Sequence, residues 1–136
     1  MNESTEPTPL QTIEAFEAAA FRAAQLGRAL LAEHPDLPVG SMRLSLYAHP
    51  NSMTANVEIA VWDTPAVTAW ADALGTTAGV SFHDSPEDAG AFEYHSARTV
   101  RGDVEVSVSG TRQPTAEELA VWRAAKAETA DAGGTR

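Results

Sequence analysis

The alternation of apolar and polar residues in the middle of the chain predicts two neighbouring strands. From Ser41 to Tyr47 apolar side chains recur at every second position, and the run from Ala55 to Trp62 repeats this period. The residues predicted to face inward are Met42, Leu44, Leu46, Ala55, Val57, Ile59 and Val61. Turn-forming residues at positions 49–53 separate the two runs, so the pattern predicts a hairpin.

A long amphipathic helix is predicted before the hairpin, over residues 12–34. This segment has no Pro and only one Gly, and it ends before Pro35. Its apolar stripe consists of Ile13, Phe16, Ala20, Ala23, Gly27, Leu30 and Leu31. The small residues of this stripe allow another backbone to approach closely. Packing against the protein's own sheet is favoured over a dimer seam, because a single amphipathic helix needs a core.

A short helix is predicted directly after the hairpin. Asp63 is an N-cap candidate, Pro65 suits the first turn, and Gly75 suits the C-terminal end. The apolar residues between them follow helical spacing and are Val67, Trp70, Ala71 and Leu74. Trp70 is therefore predicted to be buried.

Three further strands are predicted in the second half of the chain. The first is short and contains Val80 and Phe82, and a loop over residues 84–90 follows it. The last two strands, about 91–99 and 103–109, meet at a turn containing Gly102. A three-residue loop is preferred to a two-residue loop, because it puts aromatic residues and valines on one buried face. It sets Val104, Val106 and Val108 beside Arg98, Ser96 and Tyr94.

A final helix begins at a capping box formed by Thr115 and Glu118 and continues to about Glu128. The chain is thus predicted to be one α+β domain over residues 11–129, with mobile tails at 1–10 and 130–136. The expected architecture has two layers, a mainly antiparallel five-stranded sheet with helices on one face. The predicted order of elements is α-β-β-α-β-β-β-α.

Composition excludes several classes of function. The 136 residues include no cysteine, which removes disulfides, thiolate metal sites and thiol nucleophiles. The net charge of −10 disfavours direct binding to nucleic acid, whose phosphates are bound by Lys and Arg, and to anionic membranes. An acidic N-terminal segment and the lack of a long apolar run predict a soluble, cytoplasmic protein.

The strand phases leave a second sheet face as the best candidate for a binding surface. Exposed aromatic residues among polar ones are typical of protein interfaces. The residues assigned to this face are Tyr47, Glu58, Trp62, His83, Glu93, His95, Glu105 and Ser107. The predicted protein-binding site comprises Tyr47, Glu58, Trp62, Glu93, His95 and Glu105, with the Tyr and the Trp as anchors.

No motif in the sequence specifies catalysis, a cofactor or a metal. His49, His83 and His95 lack the spacing of metal ligands, and no nucleophile elbow or phosphate-binding glycine loop occurs. A non-enzymatic accessory role through contact with a protein partner is therefore favoured, and a homodimer is its simplest form. Two alternatives remain open: a metal-binding or hydrolytic domain that uses His83 and His95, and an acidic inhibitor or nucleic-acid mimic that targets a basic protein.

The composition is rich in alanine and poor in lysine, and residues 70–75 read Trp-Ala-Asp-Ala-Leu-Gly between a hairpin and a short strand. With the closing charged helix, these features resemble small uncharacterised proteins of actinobacterial genomes and their mobile elements. The resemblance covers residues 40–128. It implies a bacterial cytoplasm and an accessory role, and it brings no catalytic residue or cofactor.

Overall fold

The computed structural model describes residues 6–49, 52–85 and 90–134. Part of the predicted hairpin turn (50–51), part of the predicted loop (86–89) and the outermost residues of both predicted tails lie outside these ranges. The elements are α1 (Pro9–Glu33), β1 (Ser41–His49), β2 (Ser52–Ala60), α2 (Thr64–Leu74), β3 (Gly79–Ser85), β4 (Gly90–Arg101), β5 (Val104–Arg112) and α3 (Ala116–Gly134).

The two terminal helices extend past the predicted domain limits. Helix α1 begins at Pro9, because the Thr8 hydroxyl accepts a hydrogen bond from the backbone of Gln11 and the Gln11 side chain accepts one in return. Helix α3 continues to Gly134. Neither of these nor α2 combines the length and hydropathy that a membrane-spanning helix requires, within the described residues.

The five strands form one mixed sheet in the order β1-β2-β5-β4-β3. Strands β2 and β5 pair in parallel, while the other three pairings are antiparallel. The prediction of a mainly antiparallel sheet is corrected to a mixed one. The reason is that the last hairpin inserts between β2 and β3, and this insertion sets β5 parallel to β2.

The predicted register of the β4–β5 hairpin is wrong. Val106 lies opposite Thr99 and Val108 lies opposite Ala97, so Gly102 and Asp103 form the loop, and neither loop considered from the sequence gives these pairs. Gly102 has a φ of 65°, so this turn position suits a residue without a Cβ. A one-residue shift sends every side chain of a strand to the other face. The aromatic residues of β4 therefore do not share a face with the valines of β5.

Helix α2 forms where the sequence predicts it. The Asp63 carboxylate accepts a hydrogen bond from the backbone of Ala66, and Gly75 ends the helix in the left-handed conformation with a φ of 74°. The four predicted core residues Val67, Trp70, Ala71 and Leu74 are all buried. The Trp70 indole is fully buried and donates a hydrogen bond to the Pro38 carbonyl at 2.8 Å.

All three helices contact the same face of the sheet. Gly27 of α1 approaches Met42 and Leu44 of β1, and Val67 of α2 approaches Gly110 of β5. The register links these strand residues to one side, because Leu44, Val57, Val106 and Thr99 are successive neighbours across four strands. On the same side, Trp122 of α3 stacks on Phe82 of β3. The core lies between this face and helices α1 and α2.

The apolar stripe of α1 divides into a buried and an exposed part. Ala23, Gly27 and Leu30 are buried against the sheet, as predicted for intramolecular packing. Ile13, Phe16 and Leu31 are about half exposed, with exposed fractions of 56%, 52% and 45%. The small residues of the stripe thus serve the protein's own core, and the larger ones border it.

Candidate functional site

The sheet surface opposite the helices, named here the open face, carries the candidate site. It is formed by the alternate residues of each strand that point away from α1 and α2. The described helices contact only residues of the other face of the sheet among the contacts given above. The open face includes Ser41, Arg43, Ser45 and Tyr47 of β1, Asn56 and Glu58 of β2, Glu105, Ser107 and Ser109 of β5, Phe92, Tyr94, Ser96 and Arg98 of β4, and Ser81 and His83 of β3.

Three of the six residues predicted for the binding site lie on the open face. These are Tyr47, Glu58 and Glu105, and the Tyr47 side chain is 56% exposed. Trp62 lies just beyond the end of β2, against Gly40, and is 80% exposed. It stands at the end of the open face where β1 begins.

The other two predicted residues, Glu93 and His95, point to the helix side. Their placement was wrong because it depended on the three-residue loop at Gly102. In the observed register His95 lies opposite Gly110, and Glu93 lies opposite Arg112. Ser107 and His83 were assigned to the open face correctly. The face therefore holds fewer carboxylates than the sequence suggested.

A groove of about 400 Å³ crosses the open face. Its lining includes the hydroxyl-bearing residues Ser41, Tyr94, Ser96, Ser107 and Ser109 and the charged residues Arg43, Glu58 and Arg98. A smaller hollow of about 190 Å³ adjoins it and is lined by Tyr47, Asn56, Glu58, Arg98, Glu105 and Ser107.

Two arginines on this face were not part of the predicted binding site. Arg43, Glu58, Ser107 and Arg98 are successive neighbours across four strands, so the row presents positive, negative and positive charge in turn. Arg43 approaches Glu58 only to 3.9 Å. Arg98 has no ion-pair partner among the described side chains. The alternation of side chains along β4 places Arg98 on the open face once the register at Gly102 is known.

Two polar side-chain atoms are buried beneath this surface and have no hydrogen-bond partner among the residues that the structure describes. They are the hydroxyl of Ser45 and the amide nitrogen of Asn56, which lie opposite each other on β1 and β2. Asn56 is only 8% exposed. A buried polar group without a partner costs about 1–3 kcal/mol. Both residues are located next to Tyr47, in the part of the open face nearest the β1 edge.

Glu93 and His95 take part in a polar cluster on the helix side. The Glu93 carboxylate, 8% exposed, accepts hydrogen bonds from His95 and from Arg112, the latter at 2.7 Å. Arg112 also donates to Glu118 of α3 at 2.9 Å. The cluster thus joins β4, β5 and the start of α3. The hydrogen-bond partners of Glu93 that the structure describes, His95 and Arg112, both belong to the sheet.

We expect acid to destabilise the protein through this cluster. Arg112, and to a lesser extent His95, holds the pKa of Glu93 below its usual range, and Arg112 lowers the pKa of Glu118 to about 2. A carboxyl with a lowered folded-state pKa contributes stability above its unfolded pKa and loses that contribution as pH falls. The free energy of unfolding should therefore decrease from about pH 5 to pH 2, and less steeply in Glu93→Gln.

Urea titrations at several pH values measure this slope. Glu128→Gln, on the exposed surface of α3, is the matched control and should follow the parent protein. An unchanged slope in Glu93→Gln would show that the cluster does not contribute to acid sensitivity.

The two histidines of the proposed metal or hydrolytic alternative do not converge. His83 is on the open face of β3 and stacks on Phe92 at 4.9 Å, whereas His95 points to the helix side. The described residues contain no group of three or more His, Asp or Glu side chains positioned to hold a metal ion. His83 and His95 therefore cannot act on one ligand in this arrangement.

Comparison with known proteins gives no match. No family model, curated protein or solved structure is significantly similar to this chain. The resemblance to actinobacterial proteins stays a prediction.

Proposed function

We propose that this chain is a binding protein that acts through contact with a protein partner, and that the open face is its contact surface. The observation that carries the proposal is a five-stranded sheet with helices on one face and, on the other, a polar groove whose adjoining hollow is lined by the exposed Tyr47. Trp62, 80% exposed, lies just beyond the end of β2. Aromatic and Arg side chains supply most of the binding energy at protein interfaces.

The arrangement of charges in the groove indicates which charges a partner surface must carry. The row Arg43, Glu58, Ser107, Arg98 spans three strand spacings, or about 14 Å. A complementary surface presents carboxylates to the two arginines and a basic group to Glu58. Because Arg98 forms no ion pair with the side chains that the structure describes, an incoming carboxylate does not need to displace one of them.

The observed charge pattern favours a different kind of partner from the one that the predicted binding site favoured. A purely basic partner fits the binding site predicted from the sequence, which has three carboxylates and no arginine. The open face instead has two Arg beside Glu58 and Glu105. The inhibitor or nucleic-acid-mimic alternative thus loses its main support from this surface, and a partner of mixed charge is favoured.

A charge reversal in the groove should abolish partner binding. We expect Arg98→Glu to weaken the interaction at least tenfold, since a buried charge pair at an interface contributes to affinity on this scale. Trp62→Ala alone should also weaken the interaction with the partner. The matched control is Arg101→Glu, three residues along the same strand, because residue 101 points to the helix side.

Quantitative affinity capture from cells that express the protein naturally identifies partners, and calorimetry with each purified partner gives its dissociation constant. A partner retained by Arg101→Glu and lost by Arg98→Glu supports the proposal. Equal binding of the parent and Arg98→Glu to every purified partner would overturn it.

A further inference from the structure

The two edges of the sheet differ in how they are protected. Beside the β3 edge, α3 packs on the helix-side side chains of the strand, because Trp122 stacks on Phe82 and Arg123 forms an ion pair with Asp84 at 2.8 Å. At the β1 edge the nine residues Ser41–His49 pair only with β2 among the described strands. An unpaired edge strand presents a row of free N–H and C=O groups.

Strand β1 lacks the usual protection against pairing. Its sequence, Ser-Met-Arg-Leu-Ser-Leu-Tyr-Ala-His, contains one full charge, no acidic residue and no proline. Natural edge strands are commonly shielded by charged residues, prolines or bulges. In a chain of net charge −10, this edge is a segment where two copies meet without opposing carboxylates.

An apolar border on α1 runs beside this edge. Gly27 of α1 faces Met42 and Leu44, and helical spacing places Ile13, Phe16 and Leu31 on the adjoining side of the helix. Leu44 itself is 47% exposed. From residue 13 to residue 31 an α-helix rises about 27 Å, and the eight steps of β1 span about the same distance. The border therefore extends along the whole strand.

We propose that a second copy of this chain docks here, so that the two β1 strands pair antiparallel about a two-fold axis and the α1 borders pack together. The pairing is self-complementary, because a two-fold axis through one residue places every position opposite one of the same face. Apolar Leu44 then meets Leu46 of the second copy, and Arg43 meets its Tyr47.

The centre of β1 sets the register. Ser45 is the central residue of the nine-residue strand, and its small side chain lies on the open face. With the axis at this residue, all nine residues of β1 pair with the second copy and the two Ser45 side chains face each other. The two sheets then become one of ten strands, and the two open faces become continuous.

Single cysteines test the register directly, because the natural chain has none. With the axis at residue 45 the two Ser45 Cα atoms lie about 4.5–5.5 Å apart, within the range of a disulfide, whereas the two His49 Cα atoms lie about 27 Å apart. Under mild oxidation Ser45→Cys should form a covalent dimer and His49→Cys should not. Equal cross-linking of both variants would overturn the register.

Sedimentation equilibrium tests the dimer itself. The parent protein should have twice the chain mass of 14.4 kDa. Phe16→Glu and Leu44→Glu should each raise the dimer dissociation constant at least tenfold, while Val121→Glu, on exposed α3, should not. Circular dichroism verifies that each variant is folded. A parent that stays monomeric at the highest soluble concentration, or a dimer that both substitutions leave intact, would overturn the proposal.

The dimer and the binding of a protein partner to the open face can be tested independently, because they depend on different residues. Arg98 lies on β4, two strands away from β2 and three from the β1 edge. Arg98→Glu should therefore leave the dimer intact while it abolishes partner binding. Phe16→Glu should have the converse effect.

Discussion

Replacement of Trp70 by Ala is expected to lower the free energy of unfolding by about 3–5 kcal/mol. The side chain is fully buried, its indole donates to the Pro38 carbonyl, and it meets His34 edge to face at 5.6 Å. It thus connects α2 with the segment that joins α1 to β1. Removal leaves a large cavity and an unpaired carbonyl.

Urea unfolding followed by circular dichroism measures this loss. Trp62→Ala is the matched control, since the same substitution at an 80% exposed position should cost within about 0.5 kcal/mol. Equal stabilities of the two variants would contradict the burial of Trp70 and, with it, the placement of α2.

Replacement of Gly110 by Val is expected to destabilise the protein by about 1–3 kcal/mol through overpacking. A Cβ at this position would lie 3.0 Å from Val67 and 3.1 Å from Val61, and 3.2 Å from the Asp63 carbonyl. Gly110 is the site where β5 passes beneath α2. The effect depends on the observed register, which turns residue 110 toward the helix.

Gly79→Val provides the comparison. Position 79 is on the outer strand β3, and a Cβ there meets only the Ser96 carbonyl at 4.0 Å. We expect its stability to stay within about 0.5 kcal/mol of the parent. A tolerant Gly110 together with a sensitive Gly79 would require a different packing of α2.

Local signals in the sequence were sufficient for α2 and for the β1–β2 hairpin. The limits of α2 depend on Asp63 and Gly75, whose effects act within three or four residues of the helix ends. The inward residues of β2 were found from alternation alone, and Val57 and Ile59 are buried as predicted. Such features require no knowledge of the rest of the chain.

The register at Gly102 could not be found in this way. Burial of aromatic residues favoured the wrong loop, since it would have placed Tyr94 with the valines. The observed register instead puts Glu93 toward the helices, where Arg112 neutralises it from 19 positions away. Alternation within β4 cannot reveal that contact. Half of the predicted binding site changed position or face for this reason or because β2 ends before Trp62.

The parallel pairing of β2 with β5 is also a non-local property. The order of elements along the chain is compatible with several orders of strands in the sheet. Helix α2, β3 and β4 lie between the two paired strands in sequence. The positions of Arg43 and Arg98 in one row across the sheet follow only from this pairing, so the groove that supports the proposed function was not predictable.

Site-specific photo-crosslinking in cells tests most directly whether the open face is the contact surface. A photoreactive amino acid replaces Ser107 in the groove, and a second variant carries it at Val121 on exposed α3. If the open face is the contact surface, position 107 should give a discrete covalent adduct with another protein and position 121 should give none. Adducts from position 121 alone, with none from the groove, would contradict it.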